Sequence, residues 1–183
     1  AMGIALVATQ LAVVFPNDPS FVDLAVEAFN EDFSPSQRTL RWAHANGNGI
    51  YSPYWLTGAS GVASVAARMA NCTGDSHYID IARAVLRRNA SHYCVLPGQV
   101  EGLSGIGEAF LDIFEVTKLE TYRMAAFDIA GSILLYEIHD SGETWYPGRH
   151  LVRRSMDYNY GATGVGFFLH RLLNGGARFL HDL

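Results

Sequence analysis

A short glycine motif recurs along the chain, and self-similarity of this kind constrains the architecture before any single element does. Gly58 to Ala63, Gly102 to Gly107 and Gly161 to Gly166 share one pattern: glycine, a small or apolar residue, Ser or Thr, glycine, a β-branched residue, a small residue. The opening residues Ala1 to Ala5 look like a further copy, as if its first glycine lay just before Ala1. The second glycines stand at 3, 61, 105 and 164, a loose period that suits hairpin repeats with variable insertions.

Each glycine pair opens an apolar run: Ile4–Phe15, Val62–Ala70, Ile106–Val116 and Val165–Leu173. Runs that are apolar nearly all round read as buried helices. After the first three comes a turn and then a more amphipathic helix, over Ser20–Asn30, Ser76–Asn89 and Glu120–Glu137. Ser76 reads as an N-cap, and His77, Asp80, Arg83, Arg87 and Arg88 read as a solvated face. Buried inner helices alternating with amphipathic outer ones predict an all-α fold, an α/α toroid. The pattern supplies about four inner helices. Glycine at each inner helix start permits close backbone approach and leaves the first amides open to a ligand. Between the third outer helix and the last glycine pair, Ile138 to Arg154 carries aromatics around Asp140, Ser141 and Gly142, which predicts a short β-hairpin over one mouth of the ring. Ser34 to Tyr54, with glycines at 47 and 49, reads as a second long loop.

The bulk properties exclude several classes. With 49% hydrophobic and 17% charged residues over 183 positions, the chain suits one folded domain. A formal charge of −5 and no dense Lys/Arg run argue against a nucleic-acid partner. No apolar stretch is long enough for a membrane span. Cys72 and Cys94 stand far apart, neither a disulfide framework nor a zinc finger, which suits free thiols in the cytoplasm.

The segments Ser52 to Val62, Val100 to Phe114 and Tyr160 to Leu173, with the closing Arg178 to Leu183, resemble the last repeats of LanC-like lanthionine cyclases. The resemblance covers residues 1–183 and implies the C-terminal portion of a LanC-like cyclase domain, a toroid of seven repeats in full. It also implies a precursor peptide as substrate and, as the remainder of a multidomain synthetase, lyase and kinase domains. Zinc-dependent members hold their metal through a Cys two residues before one glycine pair and a Cys-His before the next. Here those positions are Leu56, Val100 and Glu101, and none of them matches. The chain is therefore most similar to the zinc-free cyclase domain of class III lanthipeptide synthetases, with no cofactor expected.

Members of the family add a peptide Cys thiol to dehydroalanine or dehydrobutyrine, which closes a thioether ring of the lanthionine or labionin type. A free thiol ionises only with a pKa of about 8.5, so without zinc the reaction needs a base, an acid and close positioning. Helix N-termini at the mouth would favour a thiolate modestly. The candidates for proton transfer precede the inner helices: Glu101, Tyr160, Tyr158 and Asp157. Tyr54, Trp55 and the glycines Gly58, Gly102 and Gly161 are the expected substrate-binding positions. For Glu101 the plainer reading is a carboxylate complementing a helix dipole, and for the aromatics it is pocket lining. His44, His139 and His150 fall in predicted loops, where a solvated surface role is the plain reading, and His170 reads as a core or interface histidine. Glu108 and Asp112 share one helix face, a spacing that also suits the paired carboxylates of an α/α glycosidase.

Three functional readings stay open: a zinc-independent cyclase, a silent module that grips the precursor peptide or scaffolds the synthetase, and an unrelated α/α glycosidase or terpenoid-cyclase fold, which carboxylates facing each other across the ring would support. An incomplete ring leaves an apolar face uncovered at its ends, so self-association of this chain is expected.

Overall fold

The computed structural model describes residues 2–42, 51–179 and 181–182; His44 and the glycines at 47 and 49 lie outside them. Among the described residues, seven helices and one small hairpin follow the predicted order. They are α1 (Met2–Val14), α2 (Ser20–Phe33), α3 (Ala59–Thr73), α4 (His77–Asn89), α5 (Leu103–Thr117), α6 (Glu120–Leu134), β1 (Ile138–Asp140), β2 (Glu143–Trp145) and α7 (Ala162–Asn174). A 3-10 turn, Ser34–Ser36, follows α2. No helix among the described residues is long and apolar enough to cross a membrane.

Helices α1, α3, α5 and α7, the ones headed by glycine motifs, pack side by side in one row. Each of the first three folds back on its successor, so α2, α4 and α6 form a second layer behind the row. The row is close-packed because its surfaces are small. Ala63, Ala66, Ala67 and Ala70 of α3 are buried, and a methyl group on Gly107 of α5 would lie 2.4 Å from the Phe168 ring of α7. Burial follows position in the row. α3 and α5 are buried almost all round, whereas α1 buries only Ala5, Ala8 and Thr9. Ile4, Val7 and Val14 of α1 are 55%, 58% and 48% exposed, which corrects the expectation of a fully buried first helix. The reason is geometric: α1 ends the row and has no neighbour on that side among the described residues.

The helix ends also differ from the predicted ones in physical detail. α3 runs past Asn71 and stops at Gly74, whose left-handed φ of 72° closes the C-terminus as glycine does best. Ser76 is already helical and caps nothing; Asp75 Oδ1 accepts from His77 N at 2.8 Å instead. Asp18 does the same for Ser20 at the start of α2. The hairpin pairs Ile138 with Trp145 and Asp140 with Glu143 around a turn at Ser141 and Gly142, as predicted.

Candidate functional site

The glycine motif has one structural job, repeated three times. The loop before each helix runs back alongside the first turn of that helix. At the first glycine, a methyl group would meet a carbonyl six residues earlier: Gly58 lies against Ser52 O at 2.1 Å and Gly161 against Ser155 O at 2.3 Å. At the second glycine the fit is closer still. Cβ atoms on Gly61, Gly105 and Gly164 would lie 2.0 Å from Trp55 O, Gln99 O and Tyr158 O. Between them, the hydroxyl of Ser60, Ser104 or Thr163 donates to the carbonyl of Pro53, Pro97 or Met156, seven residues back.

This arrangement uses the amides that the sequence reading left open to a ligand. Ala59, Leu103 and Ala162 donate to Ser52 O, Leu96 O and Ser155 O, and Ser60 and Ser104 donate to Pro53 O and Pro97 O. Gly58, Gly102 and Gly161 therefore shape the loops instead of presenting open donors. The loops are also stitched to one another. Leu56 N donates to Val100 O at 3.0 Å, while Gln99 N and Val100 N both donate to Asn159 O. One continuous edge results, running from Ser52 through Val100 to Tyr160.

Side chains leave this edge on two sides. Trp55, Gln99 and Tyr158 occupy equivalent positions, six residues before the second glycine of their motifs, and all three converge on Arg178. The guanidinium carbon of Arg178 sits 4.7 Å from the Trp55 ring centroid, and its Nη2 donates to Gln99 Oε1 at 3.1 Å. The charge of Arg178 opposes the upward push that burial gives the Tyr158 phenol, whose net shift is still upward. Tyr158 Oη donates to Phe179 O at 3.2 Å, and the Trp55 and His181 rings meet at a tilt with centroids 4.4 Å apart. The C-terminal segment thus lies across the row, held by the edge residues.

Beneath Arg178 lies a buried charge network. Glu108 and Asp112 are only 1% and 4% exposed. Arg171 Nη1 reaches Glu108 at 2.5 Å and Asp112 at 2.8 Å; Arg68 bridges Asp112 at 2.9 Å and Asp182 at 2.6 Å. Ser64 adds a hydroxyl to Asp112. Three arginines face three carboxylates, so the cluster is balanced and each charge has a partner, the condition for a buried ion to be tolerated. Burial alone would raise the Asp112 carboxyl, but Arg68, Arg171 and Arg178 outweigh it and hold it far below the usual range. The same competition leaves Arg171 above its ordinary value. Glu108 and Asp112 are therefore committed to arginines, which leaves the glycosidase spacing without support.

On the other side of the edge, the structure brings together Tyr54, Glu101 and Tyr160. Tyr160 Oη lies 3.5 Å from Glu101 Oε2, a long contact, and Arg149 covers the Tyr160 ring at 5.6 Å. Burial raises the Tyr54 phenol, with Cys94 and Glu101 adding to it, and burial followed by Glu101 raises Tyr160. Both are protonated donors near neutral pH. Cys94, close by, is pushed up to about 12 by burial, so it stays a thiol. Asp157 does not join them. It accepts from Ser155 Oγ and from Tyr160 N at 2.8 Å, and these hydrogen bonds outweigh burial to keep its carboxyl low. Its role is to fix the turn that carries Tyr160. Of the sequence-predicted residues, then, Trp55 and Tyr158 belong to the Arg178 cluster, and Tyr54, Glu101 and Tyr160 form a separate group. His139 and His150 are exposed; His170 is exposed too, on the outer side of α7, and not in the core.

The metal positions are readable in this geometry. Leu56 and Val100 are joined by a backbone hydrogen bond, with Glu101 next in sequence. Two aliphatic side chains offer no lone pair, and one carboxylate falls short of the four donors a zinc ion takes. The set does not fit zinc. No group of three or more His, Cys, Asp or Glu among the described residues could hold a metal ion. The family described as Lanthionine synthetase C-like protein matches residues 1–181. No curated protein matches the chain. The chain belongs to that family.

Proposed function

From this membership we propose that the chain is the C-terminal part of a zinc-independent lanthionine cyclase, of the class III type, acting on a dehydrated precursor peptide within a larger synthetase. The row of glycine-headed helices is then one arc of a toroid that further repeats complete. The observation that carries the reading is the juxtaposition of a carboxylate and two protonated phenols, Glu101 with Tyr160 and Tyr54, on the loop edge where zinc-bearing relatives place their metal.

The chemistry balances without a metal. Glu101 takes the proton from the substrate Cys thiol, and the thiolate sulfur adds to the β-carbon of dehydroalanine or dehydrobutyrine. The C–S bond forms as the C=C π pair moves into the enolate. Tyr160 protonates the α-carbon and recovers its proton from Glu101 across their 3.5 Å contact. Tyr54 donates a hydrogen bond to the enolate oxygen, a charge-matched contact made only as the negative charge develops. Rigid loops supply positioning, the largest single factor in an intramolecular closure.

A silent peptide-gripping module is the second reading. It is favoured by the first-turn amides being used by their own loops, which leaves helix dipoles little part in ionising a thiol. The two readings part in an intact synthetase carrying Tyr54→Phe, Glu101→Gln and Tyr160→Phe together. Dehydration and thiol alkylation of its precursor are followed by mass spectrometry. Ring closure is expected to slow by about 100-fold or more while dehydration continues. Rings closing at the parental rate would sink the cyclase assignment and leave the module.

A further inference from the structure

The loop that joins the hairpin to α7 is a strongly basic stretch of an acidic chain. Within residues 148–155 it carries Arg149, His150, Arg153 and Arg154, while the protein as a whole has a formal charge of −5. These residues line a cleft of about 610 Å³ together with Gly148, Val152 and Ser155. The loop is ordered by its own backbone. Gly148 N donates to Arg153 O, Leu151 N to Gly148 O, and Ser155 N to Tyr146 O. Its tip places Leu151 in the left-handed region at φ 58°, which an L-residue with a branched side chain avoids. The fold thus holds a strained tip that projects two aliphatic side chains, Val152 being 82% exposed.

The charges are incompletely matched. Asp140 pairs with Arg154, and Trp145 lies under the same guanidinium. Arg149 and Arg153 form no ion pair among the described residues. Asp157, the nearest carboxylate along the chain, is taken by Ser155 and Tyr160 N, and Glu143 lies on the hairpin. Arg149 covers the Tyr160 ring, so the loop borders the Tyr54–Glu101–Tyr160 group.

We propose that this loop docks an acidic, apolar-studded segment of the substrate peptide, with Arg149 and Arg153 meeting carboxylates and Leu151 and Val152 meeting aliphatic side chains. Unpaired guanidiniums recognise carboxylates in a planar fork, and the exposed aliphatic tip supplies the contact that a purely ionic site lacks. Such docking delivers the reacting stretch of the same peptide to the neighbouring edge. The proposal takes its partner class from the cyclase reading, but its test reads binding alone.

The probe is a fluorescein-labelled twelve-residue peptide alternating Glu with Leu or Phe, titrated by anisotropy at two salt concentrations. A peptide with Gln at every Glu position is the control. The acidic peptide is expected to bind at least about tenfold tighter than the Gln peptide, with affinity falling as salt rises. Arg149→Gln with Arg153→Gln is expected to remove that difference and the salt dependence. Val152→Asn is expected to weaken binding and leave the salt dependence in place. Far-UV circular dichroism and the melting temperature verify that each variant is folded. Equal binding of the two peptides, or loop variants that bind like the parent, overturns the proposal. So does tighter binding of phosphatidylglycerol vesicles or of a single-stranded RNA of equal charge. The Tyr54, Glu101 and Tyr160 triple variant is titrated alongside: acidic-peptide binding that survives in it, whatever its ring closure, separates this docking site from the cyclase assignment.

Discussion

Replacing Arg178 by methionine is expected to destabilise the fold by about 3–5 kcal/mol, the usual cost of removing one partner from a buried ion network. The side chain is 1% exposed and is shared by Ser64 at 3.2 Å and Gln99 at 3.1 Å, with Asp112 at 3.6 Å. Its loss leaves two arginines for three carboxylates, two of which, Glu108 and Asp112, are buried, and so leaves one negative charge short of a partner. Methionine fills much of the volume, so the loss reads the charge and its hydrogen bonds more than a cavity. Arg178→Lys keeps the charge but cannot reach Gln99, Ser64 and the Trp55 ring together, and is expected to recover only part of the loss. Urea unfolding followed by circular dichroism measures both. A loss under about 1 kcal/mol for the methionine variant would mean the network is not a structural unit. Acid supplies a parallel test through Asp112, whose carboxyl is depressed in the folded state. A depressed folded pKa contributes stability that is complete above the unfolded value of about 3.9. That contribution declines as the pH falls below it, toward the folded value. The parent is therefore expected to lose stability steeply only below about pH 4.

The Arg178 network marks the boundary of what the chain discloses before it folds. Helix order and the hairpin were legible because each rests on local patterns, apolar runs and turn residues a few positions apart. Most members of the network are separated by tens of residues, from Ser64 to Asp182, and no local pattern joins them. One signal was present. Glu108 and Asp112 sit on a helix that reads as apolar all round, and charges on such a helix require buried cations. The two arginines inside otherwise apolar glycine-headed helices, Arg68 and Arg171, were the obvious candidates.

The division of the edge into two groups was missed for a related reason. Tyr54 and Trp55, like Tyr158 and Tyr160, look like one cluster in sequence, yet both pairs lie in turns, where nearby side chains leave the backbone in different directions. The register was nonetheless in the motif, since Trp55, Gln99 and Tyr158 all stand six residues before a second glycine. The open amides expected at the helix starts failed because the same glycines that bring backbone close bring the loop's own carbonyls there first.

Gly105→Ala tests that last point with a sign that helix propensity gets wrong. Alanine is favoured over glycine inside a helix by about 1 kcal/mol, so an isolated α5 would gain from the change. In the folded chain the new methyl would lie 2.0 Å from Gln99 O and 3.0 Å from the Trp55 Cβ. The obstacle is backbone, not the end of a flexible side chain. Moving Gln99 away breaks its amide bond to Asn159 O at 2.8 Å, strains the Ser104 hydroxyl bond to Pro97 O, and displaces the side chain that holds Arg178. Overpacking against well-fixed surroundings costs about 1–3 kcal/mol even where side chains give way. With a backbone carbonyl as the nearest obstacle, the expected loss is at the upper end of that range or beyond it. Gly131 is the matched control: it lies in α6, is exposed, and an added Cβ meets nothing within 4 Å. Gly131→Ala is expected to stabilise by about 0.5–1 kcal/mol. Melting temperatures that fall sharply for the first variant and rise slightly for the second would establish the motif as a backbone-clearance device. Two small rises would mean that the loops yield, and that the glycines recur for some reason other than the carbonyls beside them.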